Sequence, residues 1–230
     1  MSLYTIGDLH LSLSTNKPMD VFGGRWENYV EKITQGFAHL TADDVTVLCG
    51  DISWAMHLPD ALLDFQFIHA LPGKKIILKG NHDYWWTTMA KANLFFAEHQ
   101  LSSLSILHNN CHIYDDIAIC GTRGWFYEEE KPRDEHNKKI LNRELGRLEA
   151  SLKAAGNREK FCFLHYPPRY RDEVCHEMID LLKRYGVQQC FYGHIHGSGH
   201  RLAPQGVIDG ITYTMVSADY LNFVPHRVML

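Results

Sequence analysis

Seven side chains of metal-ligating type, Asp8, His10, Asp51, Asn81, His165, His194 and His196, fall in five short clusters, each where an apolar run of strand length ends. His82 and Asp83 stand beside Asn81 in the run Gly80-Asn81-His82-Asp83. Carboxylates, an amide oxygen and imidazoles in this number suffice for two cations. Two divalent ions about 3.5–4 Å apart lower the pKa of a shared water towards neutrality and grip phosphoryl oxygens together. The chemistry expected is therefore hydrolysis of a phosphoester, a metal-bridging hydroxide attacking phosphorus in line with the leaving oxygen. Four imidazoles against three oxygen donors are too nitrogen-rich for Ca²⁺ and argue against Mg²⁺, leaving Mn, Fe or Zn. His82 is not needed as a ligand and is the expected general acid, with Asp83 placed to orient it and raise its pKa.

The clusters differ in specificity. Asp8-Leu9-His10 is weak alone, although in extended backbone alternate side chains would point the same way and reach one ion. Gly50-Asp51 is a common turn. Gly80-Asn81-His82-Asp83 and Gly193-His194-Ile195-His196-Gly197 carry more information, because the glycines permit tight strand exits and close approach to an ion.

Scattered ligands need a scaffold that brings strand ends together. Residues 3–7, 45–49, 75–78, 117–121, 160–164 and 188–192 are short apolar runs ending in Gly or polar clusters, the pattern of buried strands. Helical patterns lie between them at about 25–40, 58–71, 86–99, 134–155 and 172–185. Strand, helix, strand repetition predicts βαβ crossovers with parallel pairing, so that the loops after the strands share one sheet edge. Residues 206–208 and 211–217 alternate about Asp209-Gly210 and predict a hairpin. Two sheets are expected, one of the N-terminal parallel strands and one of the later strands and hairpin, with helices outside both.

With 230 residues, 45% of them hydrophobic, the chain can bury a full core, and with no linker or repeat it is expected to be one domain, 1–230. Its net charge of −4 and pI of about 6.4 give no global attraction to nucleic acid or an anionic membrane. No stretch approaches the roughly 20 apolar residues of a membrane span, and strand-like sequence begins at once, so a cytoplasmic protein without membrane contact is expected. Six cysteines without Cys-x-x-Cys pairing read as reduced thiols, four of them (Cys49, Cys120, Cys162, Cys190) inside strands. Of fifteen histidines, only those in the clusters have ligand-like surroundings.

In their order and spacing these motifs, from Asp8 to His196, resemble the calcineurin-like metallophosphoesterase superfamily. The resemblance implies an α/β four-layer sandwich of two mixed sheets flanked by helices. It also implies two divalent ions, one held by Asp8, His10, Asp51 and His196 and the other by Asp51, Asn81, His165 and His194, with Asp51 bridging. One departure is visible: members often carry a second Asp three residues after the bridging one, where this chain has Trp54 in Asp51-Ile52-Ser53-Trp54. That puts the positioning of the loop in doubt, not metal binding.

Substrate recognition is less legible. All five tryptophans, Trp26, Trp54, Trp85, Trp86 and Trp125, fall in or beside the motif loops and would either pack them or rim the cleft for a flat group. Arg123, in a Gly-flanked turn, is the favoured phosphate clamp over Arg169 and Arg171. The function expected is hydrolysis of a small phosphomonoester or phosphodiester, a nucleotide among the candidates. A nuclease is the alternative, disfavoured by the absence of a basic track. A catalytically silent scaffold is a further one, disfavoured because no ligand is missing. Oligomeric state is left open.

Overall fold

In the computed structural model, which describes residues 1–125 and 135–229, two β-sheets pack face to face with helices outside each. The first half of the chain supplies β1 (Leu3–Ile6), α1 (Tyr29–Phe37), β2 (Val45–Leu48), α2 (Leu62–Ala70), β3 (Lys74–Ile77), α3 (Met89–Glu98) and β4 (Leu104–Ile106). These strands pair in parallel in chain order. A parallel pair needs a long crossover, and each helix provides one while covering the sheet's outer face.

The second half runs through β5 (His112–Tyr114), β6 (Ile117–Thr122), α4 (Glu135–Ala154), β7 (Glu159–Leu164), a small hairpin of β8 (Arg169–Tyr170) and β9 (Glu173–Val174), α5 (His176–Arg184) and β10 (Gln189–Tyr192). It ends in β11 (Gly206–Ile208), β12 (Ile211–Met215) and β13 (His226–Arg227). The second sheet has the order β11-β12-β10-β7-β6-β5, with β12, β10, β7 and β6 parallel and an antiparallel strand at each edge. β13 returns to pair antiparallel with β1.

Three apolar cores make the layers. Val45, Val47, Ile76, Phe161, Phe163 and Phe191 meet between the sheets. Ile33, Phe37, Phe65 and Phe96 cover the first sheet from α1–α3, and Leu148, Leu152, Met178 and Leu182 cover the second from α4 and α5. Burial of alternate strand faces against both neighbours explains why the strands read as continuous apolar runs. The expected α/β four-layer sandwich is what the chain adopts.

The sheets are tied together where the site forms. Gly7 N–H donates to Val216 O at 2.7 Å and Ala218 N–H to Gly7 O at 3.0 Å, so the ends of β1 and β12 continue side by side. Loops from both sheets thus open on one edge.

Helix ends differ from the sequence expectation for local reasons. The 25–40 segment begins with a 3₁₀ turn at Gly24–Trp26, and α1 starts only at Tyr29 because Asn28 is left-handed at φ 52°. Pro59 opens a 3₁₀ turn before α2, and Thr88 caps α3 by accepting the Lys91 N–H. α5 starts at His176 because the preceding residues form the β8–β9 hairpin. Asp134, the expected start of α4, lies outside the described residues. On α4, Glu144 is buried and takes hydrogen bonds from Thr122, Arg123 and Arg147. All six cysteines are free; Cys120, Cys162 and Cys190 lie in strands and Cys49 just after β2, and all four are buried. Among the described residues no helix is long and apolar enough to cross a membrane.

Candidate metal centre

The seven candidate ligands stand on the loops that leave the C-terminal ends of five parallel strands: β1 (Asp8, His10), β2 (Asp51), β3 (Asn81), β7 (His165) and β10 (His194, His196). They converge in two groups. Ligand atoms of Asp8, His10 and His196 lie within 4.8 Å of one another, and so do those of Asp51, His165 and His194. Asn81 joins the second group, its Oδ1 being 2.6 Å from His165 Nε2. Asp51 lies between the groups, with Oδ2 3.5 Å from His165 Nε2 and 3.8 Å from His10 Nε2.

The backbone reaches this geometry differently from the expectation. Asp8 and His10 are not extended: their φ angles are 59° and 48°, and Asp51 (51°) and His194 (72°) share the left-handed region. Such residues cost on the order of 1–3 kcal/mol each and persist where neighbours fix them. Here Asp8 N–H donates to Gly50 O, His10 N–H to Asp51 O, Leu11 N–H to Ile52 O, and Trp54 N–H back to Leu11 O, all at 2.8–2.9 Å. The two ligand loops therefore set each other.

The glycines of the two stronger motifs serve this packing. A Cβ on Gly80 would sit 2.0 Å from Asp51 Oδ1, and one on Gly193 would sit 2.4 Å from Asp8 Oδ2. They make room for the carboxylates rather than for an ion directly.

Two imidazoles have their outer nitrogen anchored, which directs the inner one to the centre. His165 Nδ1 donates to Cys49 O at 3.0 Å, leaving Nε2 facing Asn81 and Asp51. His196 Nδ1 donates to Asp219 Oδ1 at 2.8 Å, leaving Nε2 3.7 Å from Asp8 Oδ1. Such anchoring fixes the tautomer a ligand needs. Asp219 was not legible in the sequence. It is buried, its second oxygen takes the Gly197 N–H at 3.1 Å, and His200 Nε2 stands 3.2 Å from that same oxygen. Asp219→Ala is expected to weaken the binding of one cation by about 10–100-fold while the chain stays folded. Chelator competition with circular dichroism checks this, and an unchanged affinity would deny Asp219 the role.

Asp83 does not orient His82. Its carboxylate accepts the backbone N–H groups of Asp51, Ile52, Ser53 and Gly80 and the indole N–H of Trp85, bracing the loop that carries Asp51. Four amides folded around a buried acid leave it no reach to its sequence neighbour's ring. His82 is half-buried, its N–H donates to Asp51 Oδ1 at 2.8 Å, and its Nδ1 is 3.3 Å from the Tyr84 hydroxyl. Trp54, standing where the resemblance would place another carboxylate, has its ring 4.6 Å from His82 and stacked 5.0 Å from His10.

Arg123 is also placed otherwise than as a free clamp. Its guanidinium pairs with buried Glu144 at 3.2 Å, and its carbonyl accepts the N–H groups of His165 and Tyr166, holding the turn that presents His165. The tryptophans divide between the two uses: Trp26 and Trp54 line a cleft beside the centre, whereas Trp85 is buried in the core outside the first sheet with Trp86 packed on it, and Trp125 packs against the core outside the second.

Electrostatics fit a cation. Burial, aided by the charge of Asp51, pushes the Asp8 carboxyl up to about 8, and burial raises Asp51 to about 6 against the pull of His82. Burial also drives His165 down to about 3 and His10 well below its ordinary value. His196 goes the other way, to about 9, because Asp219 and Asp8 outweigh its own burial. The cage holds buried acids that resist ionisation and, in His10 and His165, imidazoles that resist protonation. A divalent ion favours the charged carboxylates and neutral imidazoles that ligation requires, so the donor set suits one.

Among known proteins, the family described as calcineurin-like phosphoesterase matches residues 1–198. No curated protein sequence matches the chain. Of solved structures, the phosphopantetheinyl hydrolase from Mycobacterium tuberculosis is similar at TM-score 0.61 and 12% identity, over 99% of this chain and 95% of that one. A protein of unknown function from Aquifex aeolicus is similar at TM-score 0.48 and 13% identity, over 98% and 95%. At such identity the first likeness is one of fold.

Proposed function

The chain belongs to the calcineurin-like phosphoesterase family, and from that premise we propose that it is a single-domain hydrolase, residues 1–230, of small phosphomonoesters or phosphodiesters, with nucleotides among its substrates. The observation that carries the reading is the convergence of Asp8, His10 and His196 with Asp51, Asn81, His165 and His194 around one buried carboxylate, Asp51. These residues would hold two divalent ions, Mn, Fe or Zn by donor type. Bound there, the ions would supply an activated water and neutralise phosphoryl charge.

The side chains around the cage have their own tasks. His82 lines the cleft with His10 and His196, within reach of a bound ester, and is the proposed proton donor to the leaving oxygen. Trp54 shields His82 and His10 from water on one side. Asp83 and Asp219 hold Asp51 and His196 in place from behind. Arg123 adds positive charge near His165 while bound to Glu144.

The test is a panel of aryl, alkyl and nucleotide phosphoesters with purified protein, with added Mn²⁺ and with chelator. Turnover that chelator abolishes and Mn²⁺ restores is expected. A metal-poor protein inert on every ester would instead fit a silent scaffold.

A further inference from the structure

A cleft of about 1030 Å³ opens on His10, His82 and His196, far larger than a phosphoryl group needs and at the upper end of small-molecule sites. Resting on the phosphoesterase reading, we propose that this cleft is a recognition subsite for the unreacting arm of the substrate. That arm carries a flat ring and a second anionic group, as a nucleoside diphosphate does.

Two features of the walls carry this. The first is exposed aromatic surface. Phe22, on the turn before α1, is 67% exposed and Tyr220 is 40% exposed, and both line the cleft with Trp54. Planar rings presented to solvent around a polar centre offer faces for stacking.

The second is unbalanced positive charge in a chain whose net charge is −4. Arg25 and Arg201 line the cleft, and Lys17 Nζ stands 4.0 Å over the Trp54 ring. The guanidinium of Arg201 has no hydrogen-bond or ion-pair partner among the described residues, and Arg25 uses Nη1 on the Asp219 carbonyl at 3.2 Å. Asp219 is the carboxylate in the lining, and its oxygens are taken by His196 and Gly197. A guanidinium free to fork onto a phosphate is the expected partner for a second anionic group. Arg201 and Tyr220 lie beyond residues 1–198, the span that the family model matches.

The experiment titrates Mn²⁺-loaded protein with ADP and, separately, with inorganic phosphate and with pyrophosphate. It follows tryptophan emission and inhibition of p-nitrophenyl phosphate hydrolysis. ADP is expected to bind on the order of tenfold or more tighter than phosphate. Phe22→Ala and Arg201→Ala should each weaken ADP binding by about tenfold and phosphate binding by less than about twofold. ADP binding no tighter than phosphate would overturn the subsite, as would variants that bind ADP like the parent chain. Pyrophosphate matching ADP would overturn the ring. A chain inert on every ester of the panel above that still shows the selective emission change would reject the phosphoesterase reading and keep the subsite.

Discussion

Asp51→Asn is expected to abolish hydrolysis, by about 10³-fold or more, while the protein stays folded. Its carboxylate faces the inner nitrogens of both ligand groups, 3.8 Å from His10 Nε2 and 3.5 Å from His165 Nε2. Losing it removes a charged ligand shared by both cations, and a bound ion's charge stabilisation of several kcal/mol corresponds to a rate loss of about that size. The amide keeps the shape of the side chain and the oxygen that accepts the His82 N–H, so the loop itself should survive. Metal content measured by mass spectrometry should fall below one ion per chain. In metal-free protein the variant should melt no lower than the parent, because burial already disfavours the ionised acid that the substitution removes. Full metal content with full activity would reject the bridging role.

His82→Ala is expected to do the opposite to metal and a similar thing to rate. Both ions should be retained, since no candidate ligand is touched, and turnover should fall by about 10² or more, the range of general acid catalysis. The loss should depend on the leaving group. An alkyl ester, whose departing alkoxide needs a proton, should lose the full factor, and p-nitrophenyl phosphate, whose phenolate leaves readily, should lose much less. Equal losses on both esters would point to a structural task for His82, and equal turnover on the alkyl ester would end its role as acid.

Much of the scaffold was legible because the information was local. The runs around β1, β2, β3, β6, β7 and β10 are apolar, short and closed by Gly or polar residues, and each observed strand lies within a residue or two of its expected place. The ligands were legible for the same reason: Asp8, Asp51, Asn81, His165 and His194 all come shortly after strand ends. Strands β4, β5 and β13 were missed because Leu104–Ile106, His112–Tyr114 and His226–Arg227 are too short to show a period.

What the sequence hid was contact at a distance. Asp219 reaches His196 across 23 residues, and a lone Asp after a strand carries no ligand spacing of its own. Asp83 was read as the partner of His82 because the two are adjacent, whereas its oxygens serve amides of residues 51–53, some thirty positions earlier. Arg123 had the right neighbourhood for a clamp, and only Glu144, on α4, reveals where its charge is spent. The left-handed angles at Asp8, His10, Asp51 and His194 were equally hidden, since none of these residues announces a positive φ as a glycine would.

The most direct measurement is anomalous X-ray scattering at the manganese edge from crystals grown with Mn²⁺. Two peaks about 3.5–4 Å apart are expected. One should lie among Asp8, His10 and His196, the other among Asn81, His165 and His194, with Asp51 touching both. A single peak, or peaks away from these side chains, would contradict the two-ion centre.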